Sequence, residues 1–348
     1  MKYNDWLSVN RFNILGVAHI VRIGVVFRLI SVACIIFLAS CSNNSTNSSP
    51  PPGCSNNLTP PPITSQHLYA GVLPFRSGDQ RILQFTLPLT ATSTPTVTVS
   101  TAVFAAGLAV DANGNIAVGA IGDQSGRLAV FQAPLSNSST PSAVFQNGAS
   151  AGNGGLAFSA EGDLFAPSFD PPFINLFTPP LTLASTPSHV IADSRLKQVG
   201  AAKLDSSGNL IVSNFDANAA GSNLVVFTPP CTGTSLVTPL QAASRYVGIA
   251  LSSTQLFVAD FSQQRVDVYN LPLTASSGPA FSITNGLSNP RSVAFDSGGN
   301  LYVGNSVTSL ENGTGFINVY NQPLSASSAP SVVVTVPSAS GLDVAIGR

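Results

Sequence analysis

Short apolar runs alternate with polar turns from about residue 64 to the end of the chain, and the pattern repeats. Its clearest copy runs from Ser292 to Pro330, SVAFDSGGNLYVGNSVTSLENGTGFINVYNQPLSASSAP. Ser292 to Phe295 alternates small and apolar residues and predicts an inner strand. Asp296-Ser297-Gly298-Gly299-Asn300 follows as a tight hairpin turn, in which glycine supplies a positive φ and the aspartate accepts from backbone amides across the turn. Leu301-Tyr302-Val303 predicts a second strand, rich in β-formers. Gly304 to Thr314 reads as a polar loop and Phe316 to Tyr320 as a third strand. Pro323 ends that strand, because proline has no N–H for a ladder. Ser331 to Thr335 predicts a fourth. Four short antiparallel strands per repeat describe one blade of a β-propeller.

The inner-strand copies begin at Gly107, Gly155, Ala201, Gly248, Ser292 and Gly341, 44 to 49 residues apart. The turn recurs from Asp111 to Asn115, from Ser159 to Asp163 and from Asp205 to Asn209, and is one residue shorter after the Gly248 copy. A Pro-Leu tail recurs at Pro88, Pro134, Pro180, Pro272 and Pro323, with Pro230-Cys231 as a variant. Each proline stands three residues after an aromatic: Phe85, Phe131, Phe177, Tyr269, Tyr320 and Phe227 respectively. The last copy stops after its inner strand, and the first begins at His67-Leu68-Tyr69-Ala70 with its second. Joined, they complete one blade. The expected fold is therefore all-β: a six-bladed propeller of four-stranded antiparallel blades over residues 67–348, closed by pairing the N- and C-terminal segments. Closure leaves no free sheet edge to recruit another chain.

Charged residues make up only 8% of the chain, against about 25% in an ordinary globular protein. The surface is therefore built from Ser, Thr, Asn, Gln and Gly, which suits an extracytoplasmic protein. Residues 1–40 hold Lys2, Arg11, Arg22, Arg28 and Asp5, so the remainder carries 10 cations and 14 anions. No basic run is present, so a nucleic-acid partner is not expected. The only tryptophan is Trp6, which excludes propellers built on a tryptophan in each blade. A monomer is expected.

The N-terminus carries an address. Residues 1–28 are basic and partly apolar, and Leu29 to Ser40 (LISVACIIFLAS) is apolar but short for a bilayer span. It runs into Leu38-Ala39-Ser40-Cys41, which resembles the lipobox of bacterial lipoproteins. That resemblance implies cleavage after residue 40, lipidation of Cys41 and anchoring to a membrane, with Ser42 implying the outer membrane in a Gram-negative host. The alternative is an uncleaved anchor from about Asn13 to Ser40, with Arg22 and Arg28 inside the span at some cost. Residues 41–66 are rich in Ser, Asn, Thr and Pro and read as a tether, with a reach of roughly 30 Å. Cys54 in the tether and Cys231 in a blade would either form a disulfide outside the cytoplasm or remain two thiols.

In a propeller, the loops after the second strand and before the first strand share one face around the central channel, where binding sites collect. Reading the second strands in register places Val72, Ala120, Ser168, Asn214, Asp260 and Asn305 at their exits. Arg245 and Arg291 stand nearby, in the loops before the first strands. Blades four to six thus present a polar sector, Asn214, Asp260, Asn305, Arg245 and Arg291, that is the candidate ligand-binding surface. The same three exit residues also suit plain turn capping. His67 and His189, at or within strands, read as structural. No catalytic motif is evident, because no base stands in pattern beside a candidate nucleophile.

Leu256 to Asn270 (LFVADFSQQRVDVYN) and Gly286 to Asp296 (GLSNPRSVAFD) are similar to the NHL-repeat propellers and to the related SMP-30/gluconolactonase-like propellers. Gln263-Gln264-Arg265 stands where the NHL pattern has Asn-His-Arg, and Gln80-Arg81 echoes it. The SMP-30-like enzymes bind a divalent cation in the channel with a Glu, Asn residues and an Asp. The resemblance puts Asn214 and Asp260 where such ligands stand, whereas the glutamates of this chain are only Glu161 and Glu311. The reading that follows is a lipid-anchored extracytoplasmic propeller acting as a binding or scaffolding module through its loop face, with a protein or glycan partner and no cofactor. The alternative is a divalent-metal-dependent SMP-30/gluconolactonase-like hydrolase. A third reading is a structural envelope protein.

Overall fold

Each apolar run pairs with the next as an antiparallel strand, and the turn sequence fixes where the chain reverses. Asp111 Oδ1 accepts from the backbone N–H groups of Asn113 and Asn115, both at 2.8 Å, while Asn115 Nδ2 donates to Asp111 Oδ2. Asp205 and Asn209 repeat the arrangement, and so do Asp296 and Asn300. The glycine inside each turn has φ near +80°: Gly114 at 84°, Gly208 at 78° and Gly299 at 78°. A side chain at that φ is strained, which is why glycine stands there.

The computed structural model describes residues 66–73, 79–101, 105–119, 126–148, 155–216, 221–229, 233–242, 245–307 and 313–347. All belong to the unit Ser49–Arg348. The first blade holds β1 (His67–Leu73), β2 (Arg81–Thr86) and β3 (Val97–Ser100). The second holds β4 (Ala106–Val110), β5 (Ile116–Gly119), β6 (Arg127–Phe131) and β7 (Ala143–Gln146). The third holds β8 (Ala157–Phe158), β9 (Leu164–Ser168), β10 (Phe173–Phe177) and β11 (His189–Ile191). The fourth holds β12 (Gln198–Leu204), β13 (Leu210–Asp216), β14 (Gly221–Thr228) and β15 (Gly233–Ala242). The fifth holds β16 (Tyr246–Leu251), β17 (Gln255–Asp260), β18 (Arg265–Asn270) and β19 (Phe281–Ile283). The sixth holds β20 (Pro290–Phe295), β21 (Leu301–Asn305), β22 (Thr314–Tyr320) and β23 (Val332–Pro337). The last strand, β24 (Gly341–Gly347), is the inner strand of the first blade, in the order β24-β1-β2-β3. It pairs with β1 from His67↔Gly347 to Leu73↔Gly341. The closure expected from the two incomplete repeats is therefore present.

Among the described residues every strand lies in one of six four-stranded antiparallel sheets, and no helix occurs. The inner strands touch in sequence around a ring, β4, β8, β12, β16, β20, β24 and back to β4. Six apolar clusters fill the spaces between neighbouring blades. Leu68, Ala70 and Val72 pack on Tyr302, Ile317 and Val334 across the first and sixth blades. Ala201, Ile211 and Leu224 pack on Ile249, Leu256 and Tyr269 across the fourth and fifth. Every blade thus buries both faces, which is why its strands read as nearly continuous apolar runs. Burying one such Leu, Ile or Val side chain contributes about 1.5–3 kcal/mol.

Blade three departs from the expected repeat. Its inner strand, expected from Gly155, keeps only Ala157–Phe158 in its own sheet. Gly155 instead bridges Ala201 of the next blade, with Gly155 N–H donating to Gly200 O at 2.8 Å and Ala202 N–H to Gly155 O at 3.1 Å. A Cβ on Gly155 would stand 2.8 Å from that of Ala201, so glycine permits the contact. The outermost strand of blade six runs further than expected, to Pro337.

Candidate functional site

The polar sector is positioned by a feature shared among blades four, five and six. Residues at or near the ends of β13, β17 and β21 sit opposite residues at or near the starts of the inner strands, as Val199↔Asn214, Tyr246↔Asp260 and Pro290↔Asn305. Their side chains are buried and reach the loop that leads into that inner strand. Asn214 Oδ1 accepts from Lys197 N–H at 2.7 Å, and its Nδ2 donates to Arg195 O at 2.8 Å and Asn223 Oδ1 at 2.9 Å. Asp260 Oδ1 accepts from the backbone N–H groups of Arg245, Ser262 and Gln263 at 3.1–3.3 Å. Asn305 Oδ1 accepts from Ser288 N–H at 3.1 Å, and its Nδ2 donates to Val303 O and Phe316 O. In blade three Ser168 Oγ donates to Pro171 O at 2.6 Å. Val72 occupies the position in blade one and is fully buried. Ala120 lies outside the described residues, as do Cys41, Cys54, Cys231 and Glu311.

This geometry can be tested against the divalent cation that the SMP-30-like resemblance implies. Asn214 has spent its oxygen on a backbone amide. Asp260 accepts three N–H groups on one oxygen and presents the other to Arg265, whose Nη2 is 3.5 Å away. A cation at Asp260 would meet that guanidinium, which also lies 3.0 Å from Asp267. Among the described residues no group of three His, Cys, Asp or Glu stands close enough to hold a metal. The residues as arranged do not fit the ion.

The two candidate arginines are held differently. β-Bulges interrupt the inner strands near the loop face, between Ala106 and Leu108, Val199 and Ala201, Tyr246 and Ile249, and Pro290 and Ser292. A bulge turns a side chain out of the ladder, and in blade six that residue is Arg291. Its Nε lies 3.7 Å from Asp343 Oδ1 on β24. Asp343 Oδ2 accepts from Gly107 N–H on β4 at 3.0 Å. One carboxylate thus ties the closing strand to the inner strands on both sides. Asp343 escaped the sequence reading because both its partners, Gly107 and Arg291, lie far off in the chain on the inner strands of two other blades.

Arg245 lies between two rings, 5.6 Å from the Phe215 centroid and 5.3 Å from that of Phe261. Phe215 and Phe261 each directly follow an exit residue, Asn214 and Asp260. Phe169 follows Ser168 in the same way. All three phenylalanines are half-buried, as is Arg245, so the loop face presents an arc of aromatic edges with a cation wedged into it. The repeat would have revealed this arc had the register been read one residue further. His67 packs edge-on to Tyr69 at 6.2 Å, and His189 opens β11; neither joins the polar sector.

Neither family models nor curated proteins match the chain. Solved structures do resemble it. The nidogen/laminin complex aligns with a TM-score of 0.57 at 16% identity, covering 81% of this chain and 98% of the other. A protein from Lactobacillus plantarum gives 0.57 at 14% identity, over 82% and 100%. The periplasmic gluconolactonase of Pseudomonas aeruginosa gives 0.56 at 15% identity, over 81% and 99%. At these identities the likeness establishes the propeller fold.

Proposed function

We propose that this chain is a lipid-anchored, extracytoplasmic propeller that acts as a binding module, recognising a protein or glycan partner through its loop face. The Phe215–Arg245–Phe261 stack carries the reading. Aromatic and arginine side chains dominate the energetics of recognition surfaces, and aromatic faces suit both peptide and saccharide partners. The stack rests on a rigid base, since Asn214 and Asp260 lock the loops beneath it. Leu38-Ala39-Ser40-Cys41 and the residue 41–66 tether support the address: a lipid on Cys41 would fasten the propeller to a membrane. The likeness between the Asp260–Arg265 turn and NHL repeats agrees with a binding role. Gln264 takes φ 54° there and Asp260 faces Arg265.

The hydrolase alternative draws on the fold shared with the Pseudomonas aeruginosa gluconolactonase, and the hydrogen bonding of Asn214 and Asp260 weighs against it. The test is photo-crosslinking in intact cells, with a benzophenone amino acid replacing Phe215 or Phe261 in the full chain. A discrete adduct that Arg245→Ala abolishes supports the module; crosslinking confined to solvent and lipid sinks it. Mass spectrometry of the membrane fraction checks the anchor, and a mature N-terminus other than diacylated Cys41 overturns that part.

A further inference from the structure

The opposite end of the channel, where the hairpin turns lie, has a different chemistry. Strand pairing aligns the inner-strand residues that stand opposite Ala117, Phe165, Ile211, Phe257, Tyr302 and Tyr69, namely Ala109, Ala157, Lys203, Ala250, Ala294 and Ala345. Five blades place a methyl group there and blade four places an amine. The next residue is apolar in every blade, as Val110, Phe158, Leu204, Leu251, Phe295 and Ile346, and all six are half-exposed. Together the two rings line one cavity of about 290 Å³ that all six inner strands share. Small-molecule sites are commonly concave and mostly apolar, with a few polar groups that orient the ligand; this one has a single charge.

Lys203 donates to Leu156 O at 3.2 Å. An ammonium has three donors, and no carboxylate stands among the described residues lining the cavity. Burial also pulls its pKa down from 10.5 to about 8, so at neutral pH most of the amine carries a charge that the protein leaves uncompensated. Lys203 is half-buried; a partly desolvated charge without a counter-ion carries a cost, and an anion placed beside it relieves that cost.

We infer that this end of the channel binds a small amphiphilic carboxylate, whose anionic head pairs with Lys203 and whose apolar chain lies within the ring from Val110 to Ile346. The site is separate from the loop face and does not depend on the binding role assigned there. Replacement of the lysine by the apolar residue of the other blades would leave a cavity for neutral chains only. Uptake of the carboxylate needs the protonated amine, so affinity falls as pH rises past about 8.

The experiment is isothermal titration of the full chain with octanoate, 1-octanol and octyltrimethylammonium at pH 7. The expected result is saturable one-to-one binding of octanoate, at least tenfold tighter than that of the ammonium. Lys203→Met should weaken octanoate at least tenfold while leaving octanol unchanged. Lys203→Ala, which restores the six-alanine ring, serves as a second variant, and unchanged melts confirm that both fold. Equal octanoate affinity in wild type and a folded variant overturns the inference, and so does the absence of saturable octanoate binding to the wild type.

Discussion

Asn214→Ala separates a loop anchor from a ligand site. The substitution removes three hydrogen bonds, to Lys197 N–H at 2.7 Å, Arg195 O at 2.8 Å and Asn223 Oδ1 at 2.9 Å. Each contributes about 1 kcal/mol net, so the loss is about 3 kcal/mol. In a domain of this size each kcal/mol moves the midpoint by roughly 2–4 °C, and the melt should fall by about 6–12 °C. Asn214→Asp sharpens the case. It preserves the Oδ1 acceptor but turns the Nδ2 donor into an oxygen facing Arg195 O and Asn223 Oδ1, so it should destabilise at least as much. A cation-binding carboxamide would respond in the opposite sense: aspartate would strengthen the site, and truncation would leave the apo melt unchanged or raised. The assay is thermal unfolding of the full chain by circular dichroism at pH 7, with and without chelator. Midpoints of both variants within about 1 °C of wild type would refute the anchoring argument, because three buried hydrogen bonds cannot be lost at so small a cost.

Three further outcomes follow from the same geometry. A Cβ on Gly304 would overlap Leu342 O and Ser292 Oγ where blades one and six meet, whereas one on Gly278 would meet nothing within 4 Å; Gly304→Ala should cost about 1–3 kcal/mol in a denaturant melt and Gly278→Ala almost nothing. Burial, with Glu161 nearby, holds the Asp163 carboxyl above its usual 3.8; an acid raised on folding loses stability as pH climbs from its unfolded pKa through its folded one, so Asp163→Asn should raise the melt at pH 7, match wild type well below pH 4, and flatten the profile between. Millimolar Ca²⁺, Mg²⁺, Mn²⁺ or Zn²⁺ should not move the melt, whereas a site filled at a hundred times its dissociation constant would add about 2.7 kcal/mol and restore the metal-hydrolase reading.

The architecture was legible because it is periodic. A turn such as Asp296 to Asn300 declares both its glycine and its capping aspartate in sequence, and the structure places both as the chemistry requires. The closure was legible because a repeat was missing one strand at the front and had one to spare at the back. The positions of Asn214, Asp260 and Asn305 were legible too, since register alone put them at one level of three blades. Their partners were not. Lys197, Arg245 and Ser288 donate from loops with no repeated sequence, and a backbone amide carries no residue signature. An exposed oxygen waiting for a ligand and a buried one capping a loop therefore look alike along the chain.

Lys203 shows the converse limit. The repeat exposes it as the single cation among five alanines, yet strand periodicity gives no reason to prefer it, because a lone lysine near a turn is ordinarily solvated. Only the ring closure makes it unusual, by drawing six inner strands together until these register-matched side chains share one cavity. In a propeller the repeat therefore encodes the scaffold, and deviations from the repeat carry the chemistry. Arg291 stands at a bulge where blades two and four have Gly107 and Gly200, Arg245 is wedged between two register-matched phenylalanines, and Lys203 replaces alanine. The first of these is consumed by Asp343 in fastening the closing strand. The other two lie at opposite ends of the channel, one within an aromatic arc and one lining an apolar cavity. That separation leaves two chemically distinct surfaces on a single ring, and a substitution at Arg245 should leave octanoate uptake at Lys203 unchanged, since additivity is expected for sites that share no partners.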